Sequence, residues 1–233
     1  QPPYSLFWRH VEKDTMPYCV NNNITILAYS PMAQGILTGK FGPDHTFSKG
    51  DHRSQNKLLL PENSMGTWQV GKIMWAGIDD AETTKAIRAA FQAGITTFDT
   101  AEEYGNGHSE RIIGKALADV RHQVIYATKV SPNHLKYDQV IEAFHRSLKN
   151  LKTDYIDLYQ IHWPSGSWGS KYVPIEETMS AMNDLKEQGK IRAMGVSNFS
   201  RIQLEKAATY ARIDSLQPPY SLFWRHVEKD TMP

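Results

Sequence analysis

Several short apolar stretches of this chain end on a polar residue of a kind that moves protons or directs hydrogen bonds. Asp99 stands at the end of ITTFDT, Lys129 closes QVIYATK, and His162 closes YIDLYQIH. Ser197 and Asn198 close IRAMGVSN, and Gln217 follows IDSL. A carboxylate, an ammonium and an imidazole are acid–base groups, while hydroxyls and carboxamides orient a bound molecule. Each one alone is ordinary. A strand-terminal Asp or Lys usually begins a solvated loop, and a lone His is more often a satisfied core group than a catalyst. The same ending on successive strands is harder to treat as ordinary. In a (β/α)8 barrel those ends converge on one mouth, where the active site sits.

The elements that must position these residues alternate along the chain. Apolar, β-branched runs predict strands at 24–30, 64–70, 95–100, 123–129, 155–162, 191–197 and 213–219. Amphipathic helical patterns lie between most of them. DDAETTKAIRAAFQAG has Asp80 as a candidate N-cap and Gly94 as a stop, and SERIIGKALAD opens on Ser109. YDQVIEAFHRSLKNL repeats apolar residues at helical spacing. PIEETMSAMNDLKEQG has Pro174 near its first turn and Gly189 after its last, and SRIQLEKAATY opens on Ser200. These ends follow the preferences of helix caps. Strand–helix–strand repeated this often predicts a parallel sheet covered by helices, either open and doubly wound or closed into a barrel. Residues 38–63 are polar, rich in Gly, Pro, Asp and His, and lack a helical period. They read as a long irregular loop within a single domain, 1–233.

Composition excludes several classes. The chain has 233 residues, 40% hydrophobic and 22% charged, with a formal charge of +1. Neither nucleic acid nor an acidic membrane surface is expected as a partner at that balance. The basic cluster Lys49 to Arg53 reads as solvated loop. The single cysteine, Cys19, allows no internal disulfide and no cysteine-paired metal site. It reads as buried filler and favours a reducing, cytoplasmic setting. No metal site is expected. No apolar run is long enough to span a membrane. Gln-Pro-Pro at the start does not read as a signal peptide, and the missing initiator Met suggests a fragment or a rearranged chain.

FDTAEEYGNGHSE, ATK, DLYQIHWP, GVSNFS, QPPYSLF and AYSPMAQGILTGKF together resemble the aldo-keto reductases. The resemblance runs over nearly the whole chain. It implies a TIM barrel that binds NADPH without a Rossmann domain, and no GxGxxG loop follows a strand here. It implies reduction of aldehyde or ketone carbonyls of small molecules. Its catalytic tetrad maps to Asp99, Tyr104, Lys129 and His162. Tyr104 would donate the proton, Lys129 would favour the tyrosinate, Asp99 would hold Lys129, and His162 would orient the carbonyl oxygen. Contacts to the nicotinamide carboxamide map to Ser197, Asn198 and Gln217, and the ring-stacking aromatic to Tyr220. The pyrophosphate loop maps to Ser30, Met32, Gly35 and Lys40. Trp68 and Trp163 map to the substrate pocket walls, with plain core packing as the competing reading.

The order of segments departs from the family. QPPYSLFWRHVEKDTMP stands at Gln1–Pro17 and again at Gln217–Pro233, letter for letter. In family order QPPYSLF is strand six and ITILAYSPM strand seven. No strand-eight segment follows, and SMGTWQVGK resembles strand one. The expected fold is therefore a (β/α)8 barrel that is permuted or incomplete, with strand six present twice. Either the rearrangement is genuine and the two copies close the barrel, or a conventional sequence stands here out of order. Loss of strand eight removes part of the usual phosphate site, which leaves the choice between NADPH and NADH open. Two other functions also stay open: a catalytically idle, nicotinamide-binding regulatory subunit, and an inactive barrel scaffold. Composition does not fix the oligomeric state.

Overall fold

The computed structural model describes residues 67–72, 79–92 and 95–218. Five parallel strands form one sheet in chain order: β1 (Thr97–Asp99), β2 (Ile125–Val130), β3 (Ile156–Ile161), β4 (Ile191–Ser197) and β5 (Ser215–Gln217). Helix α1 (Asp80–Gln92) precedes β1. Four crossovers follow, carrying α2 (His108–Ala116), α3 (Tyr137–Leu151), α4 (Ile175–Glu187) and α5 (Arg201–Ala208). Each strand pairs with its neighbour in sequence, so the described residues form a parallel half-barrel. The predicted strand at 24–30 and the loop at 38–63 lie outside the described residues.

The central strands are covered on both faces. All six residues of β3 are buried, and β2 is buried from Tyr126 onward. Helix α3 turns Val140, Ala143, Phe144, Ser147 and Leu151 inward, one stripe at helical spacing. Phe144 meets Tyr159 of β3 edge to face, with ring centroids 5.4 Å apart. Burying side chains of this size stabilises the layer by about 1.5–3 kcal/mol each.

Register then sets which polar residues share a level. Lys129 lies opposite Gln160, Gln160 opposite Gly195, and Gly195 opposite Ser215. Side chains alternate along a strand, so this row lies on one face of the sheet. The face is polar at its centre, and Gly195 is small for a reason: a Cβ there would lie 2.1 Å from Ser215 Oγ and 2.9 Å from its carbonyl oxygen.

Some local expectations differ from the structure. Residues 64–70 were expected as a strand, but Thr67–Gly71 is a 3-10 helix. Thr67 Oγ1 donates to the Asp99 carbonyl, and the backbone of Gly71 lies directly against Gly105. A Cβ on Gly105 would come within 2.2 Å of the Gly71 oxygen, and Gly105 has φ of 66°. Close packing on the turn after β1, rather than a ladder, thus fixes this segment. Asp79, not Asp80, caps α1, its Oδ1 accepting the Glu82 N–H at 2.9 Å. Ser109 lies inside α2 and caps nothing; its hydroxyl accepts from Thr100 Oγ1. Ser200 does cap α5, with Gln203 completing a reciprocal pair. Gly189 follows α4 at φ of 70°. Gly94 lies outside the described residues. The last strand is shorter than expected, Ser215–Gln217 rather than 213–219.

Candidate active site

Lys129 is the centre of the site. It sits near the end of β2 and is 1% exposed. An ammonium so deeply buried needs full compensation. Its Nζ donates to both Asp99 carboxylate oxygens and to the Thr100 carbonyl, each at 2.8 Å. Asp99 ends β1, one strand away. The same Nζ lies 5.3 Å from the centroid of the Tyr104 ring. Tyr104 stands in the turn between β1 and α2, the turn braced by Gly71. Its ring meets that of His162 edge to face, with centroids 5.5 Å apart. The structure therefore brings Asp99, Tyr104, Lys129 and His162 into one cluster at the C-terminal ends of β1, β2 and β3.

His162 follows β3 directly and is 8% exposed. Burial pushes its imidazole below the ordinary value; Glu103 pulls the other way, and Lys129 adds to the depression. Nδ1 lies 3.1 Å from Glu103 Oε2. The ring N–H is not well aligned with that oxygen, and Nδ1 has no other hydrogen-bond partner among the described residues. Glu103 is itself held below the usual carboxylate range, chiefly by His162 and against the effect of burial. The Asn198 amide donates to the His162 carbonyl at 3.0 Å, which links β3 to the end of β4.

A second group of polar residues lies at the ends of β4 and β5. Ser197 pairs with Gln217 in the ladder, and Ser197 Oγ donates to the Gln217 carbonyl at 2.8 Å. The Asn198 N–H donates to that carbonyl at 3.1 Å. Asn198 takes φ of 61°, a left-handed conformation that Asn tolerates. Its Nδ2 donates to both His162 O and Ser197 Oγ, which leaves Oδ1 as the acceptor for an incoming N–H. A carboxamide presents both a donor and an acceptor. Asn198 Oδ1 can take the donor, whereas the Ser197 hydroxyl and both Asn198 amide hydrogens are held within the protein and one would have to turn outward to meet the acceptor.

Gln160 and Glu103 were not anticipated as part of the site. Gln160 is fully buried, and its Nε2 donates to Gln217 Oε1 at 3.0 Å. It lies two residues before His162, so period-two alternation puts both on one face; that signal was present in DLYQIH. Glu103 was hidden in the Glu102–Glu103 pair. Glu102 has a framework role, accepting the Ser131 N–H at 2.7 Å and pairing with His134 and Arg146. Of the expected pocket walls, Trp68 is 43% exposed on the 3-10 helix. Trp163 is half-buried and meets the exposed Trp168 edge to face at 5.3 Å. Ser30, Met32, Gly35, Lys40 and Tyr220 lie outside the described residues. Among those described, no group of three or more His, Cys, Asp or Glu is placed to hold a metal ion, and no helix is long and apolar enough to cross a membrane.

Known proteins are similar to this chain in sequence and in fold. The aldo-keto reductase YhdN of Bacillus subtilis is 45% identical over 179 residues, which are 72% of this chain and 53% of that protein. The methylglyoxal reductase YeaE of Escherichia coli is 37% identical over 183 residues, 76% of this chain and 60% of its own length. The crystal structure of an aldo-keto reductase from Klebsiella pneumoniae in complex with NADPH superposes with a TM-score of 0.63 at 33% identity, covering 72% of this chain and 57% of that one. The chain thus spans a little over half the length of the relatives it matches. The family model fits in two stretches, 1–64 and 63–232. These matches place the chain in the aldo/keto reductase family.

Proposed function

We propose that the protein reduces aldehyde or ketone carbonyls with NADPH. The observation that carries this reading is the Lys129 ammonium, clamped by both Asp99 oxygens at 2.8 Å and held 5.3 Å from the Tyr104 ring. Carbonyl reduction needs a hydride on carbon and a proton on oxygen. NADPH, when bound, supplies the hydride. Ser197, Asn198 and Gln217 would hold its carboxamide, and Tyr104 gives its hydroxyl proton to the oxygen as the C=O π bond breaks. The Lys129 cation stabilises the negative charge left on the phenolic oxygen. Asp99 keeps that cation from turning away, and His162 orients the substrate oxygen. The names of the relatives, an aldo-keto reductase and a methylglyoxal reductase, support small carbonyl compounds as the substrate class.

The test is Tyr104→Phe. Loss of the positioned acid should lower turnover of a generic aldehyde by about 10²–10⁴-fold. NADPH affinity, read from tryptophan fluorescence, should stay nearly unchanged. Full activity in that variant would remove Tyr104 from the mechanism.

A further inference from the structure

We propose that Glu103 is a positioning residue for His162: its carboxylate takes the Nδ1–H, fixes the tautomer of the ring, and presents Nε2 to the substrate oxygen. The inference rests on the carbonyl-reduction reading for its purpose, but its physical content stands apart from it. Glu103 Oε2 lies 3.1 Å from His162 Nδ1. No other described group satisfies this buried nitrogen. A small swing of the Glu103 side chain, itself 42% exposed, aligns the bond. Catalytic hydrogen bonds are often loose before a substrate closes on them. The carboxylate is not free to leave, because Ser131 Oγ donates to its other oxygen at 3.2 Å. Glu103 also stands next to Tyr104 in the same braced turn, so the proton donor and the carboxylate that orients the imidazole move as one piece.

A histidine ring has two nitrogens, and the partner of one decides what the other offers. With Nδ1–H given to Glu103, the neutral ring offers a lone pair at Nε2, which accepts an alcohol O–H. The protonated ring offers an N–H there, which donates to a carbonyl oxygen. The charges facing the ring are Glu103 and Asp99, which favour protonation, and Lys129, which opposes it; Tyr104 contributes a ring edge. Binding of a carbonyl should therefore weaken as pH rises through the titration of His162, and Glu103 sets where that happens.

The experiment is a nitrogen-15 side-chain NMR titration of the full chain. Among the nine histidines, the His162 signal is identified by its loss in His162→Gln. The parent should show the Nδ1–H tautomer. Glu103→Gln keeps a carbonyl acceptor but drops the charge, so the tautomer should persist while the midpoint falls by about one pH unit. Glu103→Ala should lose the tautomer preference as well. The pH profile of KM for the aldehyde should move with the NMR midpoint, while kcat changes less. An Nε2–H tautomer in the parent, an unmoved midpoint in Glu103→Gln, or a KM profile that stays in place would overturn the proposal. A chain that turns over no aldehyde but gives the expected NMR result would instead count against the carbonyl-reduction reading alone.

Discussion

Lys129 shows how one residue couples stability to chemistry. Among the described residues, its buried charge is compensated by Asp99 and the Thr100 carbonyl. Lys129→Met should lower turnover by about 10²-fold or more, because the tyrosine loses its cation. It should also destabilise, because Asp99 is left unpaired; its side chain is 24% exposed, so water softens the loss. The double variant Lys129→Met/Asp99→Asn should recover stability in denaturant melts but not activity. Recovery of both would mean the pair is structural only. Glu110 makes a separate prediction. It is fully buried in α2, and burial pushes its carboxyl above the ordinary value despite hydrogen bonds from Thr128 and Asn150. The native state then holds a proton longer than the unfolded chain does. The stabilisation is complete below the unfolded value near 4.5 and is lost as pH rises through the higher native value. Relative to Glu110→Gln, which cannot ionise, the parent should therefore lose stability progressively above that pH. Parallel melts from pH 4 upward check this, and a constant difference would contradict it. Glu110 was not legible in the sequence, since a Glu in a helix normally faces water and only tertiary packing reverses that; Glu103, 42% exposed, is set apart only by standing beside His162 in the fold.

The strands were legible where they are buried on both faces, and much less so elsewhere. The expected run at 191–197 coincides with β4, and β2 and β3 differ from expectation by one or two residues, because continuous apolar runs leave no alternative. The segment at 64–70 misled because a short run with Met65, Trp68 and Val70 as its apolar residues suits a strand or a turn equally, and contact with Gly105 decides between them. Helix starts slipped by one residue where two capping residues stand in a row, as at Asp79 and Asp80. The polar strand ends named from the sequence do converge, since parallel strands in chain order leave them no other place. Strand spacing supplies the next prediction. A Cβ on Gly195 would meet the Ser215 hydroxyl and carbonyl, and Gln160 Cγ at 3.2 Å. The hydroxyl can rotate away, but the carbonyl belongs to β5 and moves only with it. Gly195→Ala should cost about 1–3 kcal/mol by overpacking and draw Gln217 away from Ser197. NADPH should bind more weakly, while the Asp99–Lys129 pair, three and two strands off, is untouched. Unchanged affinity would show that β5 does not hold the cofactor.

On the scale of the whole molecule, the repeated segment raises a question of division of labour. In family order one strand six neighbours both strand five and strand seven. Here the Gln217 copy follows β4 through α5, and the structure seats Gln217 itself beside Ser197 and Asn198. The Gln1 copy leads into residues 24–30 and lies outside the described residues. The family match comes in two stretches, 1–64 and 63–232, which meet where SMGTWQVGK begins rather than at either copy. If the copies divide the roles, only the C-terminal one reaches the nicotinamide carboxamide, and the other serves the pyrophosphate side. Gln217→Ala should then raise the Kd for NADPH by about threefold to tenfold, the loss of one hydrogen bond of roughly 0.5–1.5 kcal/mol. Part of that effect runs through Gln160, whose amide would lose its acceptor. Gln160→Leu in the Gln217→Ala background removes the orphaned amide and separates the two contributions. Gln1→Ala should leave Kd unchanged. Equal weakening by the two single variants would mean that the copies exchange places in the barrel, and a response to Gln1→Ala alone would mean that the N-terminal copy occupies the cofactor position.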